Sequence, residues 1–445
     1  MKKLLALVSA LTLSAALLAG CASAPASTPA STGSTAGAAS TAAEAKPVEL
    51  RVVSSFSGTD GNRKAFETAY KAWEAATGNT VKDESQTSDE TWKAKVLADF
   101  ETGSDPDVLF FFNGNDANTI VEGGKVVSIE DIRKEYPNYA SNMNDSSIPA
   151  SPVDGKQYAV PTAGYWEGMF TNTKVLEDCG LTAPDANTTW DEFLEMCETI
   201  KAKGYTPIAA SLQQVPHYWF EFTILNNDGV TGHLNVPATA DDAAGKAWQA
   251  GLEDIKVLYE KGYFPANTLS ASDEETFQLM YDGKAAFAID GSWKTGQIVD
   301  NVDADHLADY TCTYVPAKGD RKPTDIIGGL SMGYYITEKA WADPDKRAAA
   351  VSFVEALTTD EVIIEMAAGS AATALKVAPP KPADLNSLQE AAFNMVAGAT
   401  SVTPAVQDYI KPEAKAQILE TDTKLVANGS ITAAQALENM IKANG

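Results

Sequence analysis

The sequence predicts an α/β fold, with mixed sheets flanked by helices. Three observations carry that expectation. Between Val48 and Phe112 short apolar runs alternate with helix-period segments, in the order strand, helix, strand, helix, strand. The chain has 445 residues, enough for two or three domains, and its 44% of hydrophobic residues can fill large cores. A further helix with legible ends begins after Thr189 and follows more short apolar runs.

At the N-terminus, Lys2 and Lys3 form a basic segment and residues 4–18 are apolar. Leu18-Ala19-Gly20-Cys21 then has the small residues of a processing site. It is similar to the bacterial lipobox, which implies that residues 1–20 are a signal peptide and that Cys21 carries lipid. An uncleaved span is the poorer reading, because the apolar segment is short and contains Ser and Thr. More than one acyl chain on Cys21 would anchor the protein stably to a membrane. Residues 21–47, rich in Ala, Ser, Thr, Gly and Pro, have little to bury and form a flexible tether.

The folded body starts at Val48, and Leu50, Val52 and Val53 continue a strand. Phe66, Tyr70 and Trp73 share one face of a helix that Gly78 stops. Val81 opens a second strand, Trp92, Val96, Leu97 and Phe100 mark a second helix, and residues 108–112 form a third strand. Ligands of open α/β sheets gather at the carboxyl ends of the strands. Loops 54–62 and 113–118 occupy such ends, so Asp60, Asn113, Asn115 and Asp116 are candidates to hydrogen-bond a polyhydroxy ligand. Capping of the helices that follow is the simpler role for the same residues.

Residues 155–210 are the most informative stretch. An apolar run ends at Pro161, Tyr165 and Trp166 lie between Gly164 and Gly168, and Met169-Phe170 look buried. Thr189 and Glu192 form a capping box, Phe193, Met196, Cys197 and Ile200 make an apolar face, and Gly204 ends the helix. Four pieces occur here in order: Gly155-Lys156-x-Tyr158-x-x-Pro161, Gly168-x-Phe170-x-Asn172, Thr189-Trp190-Asp191-Glu192-Phe193 and Lys201-x-x-Gly204-x-x-Pro207-Ile208. Together they resemble the extracellular sugar-binding proteins of bacterial ABC importers, the broad group of the maltose-binding protein. Asp290-Gly291-Ser292-Trp293 and the glycine-rich 328–333 extend the resemblance toward the C-terminus. Thr171 departs from it, since the family often has Tyr before that Asn.

The resemblance implies a two-lobe fold like that of periplasmic binding proteins, with a ligand cleft between the lobes. Lobe 1 is expected at 48–160 plus 323–357, and lobe 2 at 161–322 plus 358–445. Segments 161–164, 323–329 and 357–360 are the hinge candidates. Such a protein captures a mono- or oligosaccharide and delivers it to a permease. It needs no cofactor, catalyses nothing, works as a monomer and sits on the outer face of the cell membrane.

A sugar offers hydroxyls that need fixed polar partners and a C–H face that aromatic rings can cover. Trp166, Trp219 and Trp293 lie beside glycine, proline or polar turn residues, so they are the candidate plates. Trp73, Trp92, Trp190 and Trp248 fall on helices and read as core. Glu167, Gln213, His217 and Asp290 are candidate polar partners, and Gly329 is a further ligand contact.

The formal charge of −26, from 60 acidic and 34 basic residues, argues against nucleic acid as a partner. No Cys-x-x-Cys occurs. With Cys21 used by the anchor, Cys179, Cys197 and Cys312 allow at most one disulfide, and Cys197 reads as a buried thiol. Two alternatives stay open. A secreted glycosidase needs a carboxylate pair in a cleft. A metal-binding importer component would use tyrosines such as Tyr334 and Tyr335, although alternation along a strand puts those two on opposite faces. His217, His233 and His306 lack helical ligand spacing, and Asp303 and Asp305 lack the glycine of a calcium loop.

Overall fold

The computed structural model describes residues 46–58, 60–370 and 372–445. The expected signal peptide, Cys21 and most of the expected tether lie outside the described residues. The body is α/β, with two mixed sheets flanked by helices.

The first sheet has the order β2 (Thr80–Asp83), β1 (Glu49–Val53), β3 (Val108–Phe112), β10 (Met332–Ile336) and β4 (Val160–Pro161). β1 pairs parallel with β2 and β3, and β10 returns antiparallel to β3 and β4. α1 (Arg63–Thr77) puts Phe66, Tyr70 and Trp73 into one core, and Gly78 ends it at φ 74°, where a side chain would be strained. α2 (Glu90–Glu101), α3 (Asn118–Glu122) and α4 (Ile129–Glu135) complete the early helices of this lobe. Tyr334 and Tyr335 point to opposite faces, into separate clusters, as strand alternation requires.

The second sheet has the order β11 (Ser401–Thr403), β9 (Asp325–Gly329), β5 (Tyr165–Asn172), β7 (Ala285–Gly291) and β6 (Thr206–Ile208), and β8 (Tyr310–Thr313) pairs with β5. α5 (Thr173–Cys179) and α6 (Trp190–Ala202) follow β5, and the Thr189–Glu192 capping box is formed at α6. α7 (His217–Gly232, broken at Gly229), α8 (Ala243–Glu260) and α9 (Asp273–Tyr281) pack before β7, and α10 (Trp293–Asn301) follows it at once. α11 (Glu338–Ala342), α12 (Pro344–Leu357) and α13 (Asp360–Met366) follow β10. The rest of the chain contributes α14 (Ser387–Ala397), α15 (Pro412–Lys415), α16 (Thr423–Ala427) and α17 (Ala433–Asn444).

The chain passes between the sheets at places that differ from the expected boundaries. Asp325–Gly329 hydrogen-bonds with β5 and β11, so it belongs to the second sheet and not to lobe 1, where the sequence places 323–357. Ile363, Met366, Ala374 and Leu375 pack in the first lobe, where they join the core of Phe66 and Tyr334. The third crossing therefore comes after Leu375, and 357–360 is the joint of α12 and α13 inside one lobe. Two expected hinges do meet. A Cβ on Gly164 would lie 2.6 Å from the Gly329 carbonyl oxygen and 2.7 Å from Ala372 Cβ, so only glycine lets these strands cross so closely. Cys179, Cys197 and Cys312 are free, buried thiols.

Candidate functional site

β5 places its residues on two faces. Tyr165, Glu167 and Met169 face the helix α7 side, whereas Trp166 and Phe170 face the side covered by α9 and α14. Glu167 lies opposite Gly291 of β7 and Ile327 of β9. Gly291 has no side chain for a reason: a Cβ there would overlap the Trp293 indole, which lies directly on it. Trp293 opens α10 and is only half-buried; its ring centroid is 6.4 Å from that of Tyr165 and 6.1 Å from that of Tyr218. Three rings thus gather beside the end of β7.

Under these rings lie two carboxyls. Glu167 is 2% exposed and Glu221, from α7, is fully buried. Glu167 Oε2 and both Glu221 carboxyl oxygens have no hydrogen-bond partner of ordinary geometry. Burial first, and then the neighbouring Glu221, push the Glu167 carboxyl well above the usual range. Burial pushes Glu221 up to about 8. Gln407, from the single 3-10 turn Val406–Tyr409, lies against Glu221, and its Oε1 is also buried and unpartnered.

The first lobe reaches this region through both of its strand-end loops. After β1, Gly61 approaches α10 so closely that a Cβ on Gly296 would sit 3.3 Å from Gly61 Cα. Asp60 accepts the Asn62 N–H at 2.8 Å, and burial raises its carboxyl to about 6. After β3, Asn115 Nδ2 donates to the Asp408 carbonyl at 3.0 Å. Asp116 takes Lys93 at 3.2 Å and, from the other lobe, Lys415 at 3.6 Å; Lys415 also binds Asp408 at 3.1 Å. Burial opposes the Asp116 charge, but Lys415 and Lys93 outweigh it and hold the carboxyl low. His217 stands near both lysines; burial and those charges take it down to about 3, so it is neutral at neutral pH.

The remaining sequence candidates go elsewhere. Trp166 is 1% exposed and stacks on Phe170 in the core beneath α14. Trp219 is 1% exposed on α7 and packs between Phe193 and Phe264; α7 is apolar nearly all round, and the local turn residues hid that helix. Asp290 lies on the Trp166 face, where Lys294 reaches it at 3.5 Å and Asp273 at 2.8 Å. Gln213 accepts a hydrogen bond from Lys424 at 2.7 Å. Asn113 donates to the Leu330 carbonyl at 2.8 Å and so ties the end of β3 to β10. Gly329 runs beside Tyr165, its register partner. An apolar pocket of about 220 Å³ lined by Ile364, Ala367, Phe393 and Val396 offers no converging polar group and lies apart from the rings.

Residues 58–364 match the family described as bacterial extracellular solute-binding proteins. The chain belongs to that family. Curated relatives of this solute-binding protein include the multiple sugar-binding protein of Streptococcus mutans, 25% identical over 36% of this chain and 38% of that one. The lactose-binding protein of Rhizobium radiobacter is 26% identical over 44% of each. These matches thus span less than half the length of the relatives. Among solved structures, a chitin oligosaccharide binding protein superposes with a TM-score of 0.78 at 25% identity, covering 89% of this chain and 98% of that one. The GacH receptor of Streptomyces glaucescens gives 0.71 at 16% identity, over 89% and 97%. Such neighbours have the two-lobe architecture, and the two sheets described above are its two lobes.

Proposed function

We propose that this chain is the sugar-binding component of an ABC importer. It captures a saccharide where Trp293, Tyr165 and Tyr218 meet Glu167 and Glu221, and presents the closed complex to a membrane permease. It carries out no reaction and is held on the outer face of the membrane by lipid on Cys21. The observation that carries the reading is the pairing of the half-buried Trp293 and Tyr165 rings, backed by the buried Tyr218, with buried carboxyl oxygens that have no donor from the rest of the protein, at the junction of two lobes. Rings desolvate a sugar's C–H face, and the oxygens accept from its hydroxyls. The names of the sugar-binding relatives point the same way.

The test is a thermal-shift series with mono- and oligosaccharides. A ligand that binds only the folded state raises the melting temperature, so a panel without any shift would overturn the reading. Replacing Trp293 by Ala is expected to weaken the best ligand by about 1–3 kcal/mol through lost stacking and burial. Release of new reducing ends by the purified protein would instead mark a glycosidase.

A further inference from the structure

Two buried carboxyls and an amide meet at the polar end of the site, and among the described residues neither carboxyl has an ion pair. Glu167 Oε2, both oxygens of Glu221 and Gln407 Oε1 are buried with no donor from the rest of the protein; they lie in hydrogen-bonding reach of one another and come from three different elements, β5, α7 and the 3-10 turn at 406–409. The nearby cations are engaged elsewhere: Lys294 with Asp273 and Asp290, Lys415 with Asp408 and Asp116. His217 is neutral. Lys415 still acts on Glu221 from a distance, the other charged groups acting on the pair are Asp290 and Asp408, and the phenols of Tyr165 and Tyr218 are near it as well. A neutral hydroxyl supplies a donor but no charge, so it leaves the two carboxyls holding their protons. An ammonium brings three donors and no acceptor, and its charge is the one this pocket lacks. Rings beside it add attraction for a cation.

We propose that the saccharide taken by this site carries a protonated amine, seated between Glu167 and Glu221 beneath Trp293, Tyr165 and Tyr218. The proposal rests on the sugar-binding reading above and names the class of sugar. It implies a proton exchange. In the free protein the two carboxyls hold protons, and the ammonium displaces one of them, because a cation beside a carboxylate favours the charged form.

Titration calorimetry of the full chain against glucosamine and its β-1,4 oligomers, their N-acetylated counterparts, and glucose and its β-1,4 oligomers tests this. Amine-bearing sugars are expected to bind at least tenfold tighter than the other two sets. Repeating the titration at pH 7 in buffers of different ionisation enthalpy should show release of roughly half to one proton per amine bound and none for a neutral sugar. Glu221→Gln and Glu167→Gln keep the side-chain shape; each should weaken amine-bearing sugars at least about tenfold more than neutral ones and abolish the proton release. Neutral sugars binding as tightly as amines, or amine binding without proton release, would overturn the proposal and leave the sugar-binding reading standing. Binding of no saccharide from any of the three sets would overturn both.

Discussion

β5 and β7 bury carboxyls on both faces of one sheet, and the two faces treat them in opposite ways. On the face toward α9, Asp290 lies 3.5 Å from Lys294, which bonds Asp273 at 2.8 Å and sits 4.1 Å over the Phe277 ring. Burial works against the Lys294 ammonium, yet Asp290 and Asp273 outweigh it and keep it charged, while burial raises Asp290 itself to about 7 against the pull of Lys294. On the face toward α7, Glu167 meets Glu221, neither has an ion pair among the described residues, and Lys415 acts on Glu221 only from a distance. Burying a charge with a partner is tolerable; burying an acid beside another acid is a standing cost. The first cluster is closed and explains itself by stability. The second is stable only in a protonated form, and a cost that folding does not recover points to a partner from outside.

The largest expected effect comes from breaking the closed cluster. Lys294→Met would leave Asp290 buried without its cation, and should lower stability by about 3–5 kcal/mol in denaturant unfolding. Glu221→Gln should cost under about 1 kcal/mol at pH 5, where the wild-type carboxyl is already protonated. Equal losses in the two variants would erase the distinction between the faces.

A smaller effect distinguishes the faces by pH. Burial raises Glu221 from 4.5 to about 8, so the folded state keeps a proton that the unfolded state releases. Its contribution to stability is fully present below about pH 4.5 and is lost as pH rises to about 8. The slope approaches 1.4 kcal/mol per pH unit for one proton, as an order of magnitude. Glu221→Gln should flatten the melting-temperature profile across that window. A profile that stays as steep would place the proton on another group.

How much of this was legible in the sequence follows from what each signal measures. Helix caps and stops such as Thr189 with Glu192, and Gly78, are local chemistry, and they were read correctly. The helical tryptophans Trp73, Trp92, Trp190 and Trp248 are all core, as their periodicity said. Trp166 and Trp219 were misleading because flanking glycine and proline say nothing about which face of a strand or helix a ring takes. Parity along β5 decides that, and it puts Glu167 and Trp166 on opposite sides. Glu221 was passed over inside His217-Tyr218-Trp219-Phe220-Glu221-Phe222, although a lone carboxylate among aromatic residues is itself a sign of a perturbed acid. Gln407, Asp408 and Lys415 carry no local pattern; only the return of the C-terminal segment to the lobe junction gives them a role.

That junction supplies the smallest expected effect. Asn115 of the first lobe donates to the Asp408 carbonyl of the second, a neutral bond worth about 0.5–1.5 kcal/mol net. If the lobes separate when the site is empty, the bond exists only in the closed arrangement, and its loss shifts the population toward the open one. Asn115→Ala should then weaken the best saccharide by about two- to tenfold and enlarge the radius of gyration of the free protein in small-angle scattering. The comparison of the two faces sharpens the prediction. Opening hydrates Glu167 and Glu221, which lowers their proton affinity, but it leaves Asp290 and Lys294 inside one lobe. Asn115→Ala should therefore shrink the pH dependence that Glu221 imposes and leave the cost of Lys294→Met unchanged. An unaltered scattering curve with unaltered affinity would mean that the lobes do not part at this contact.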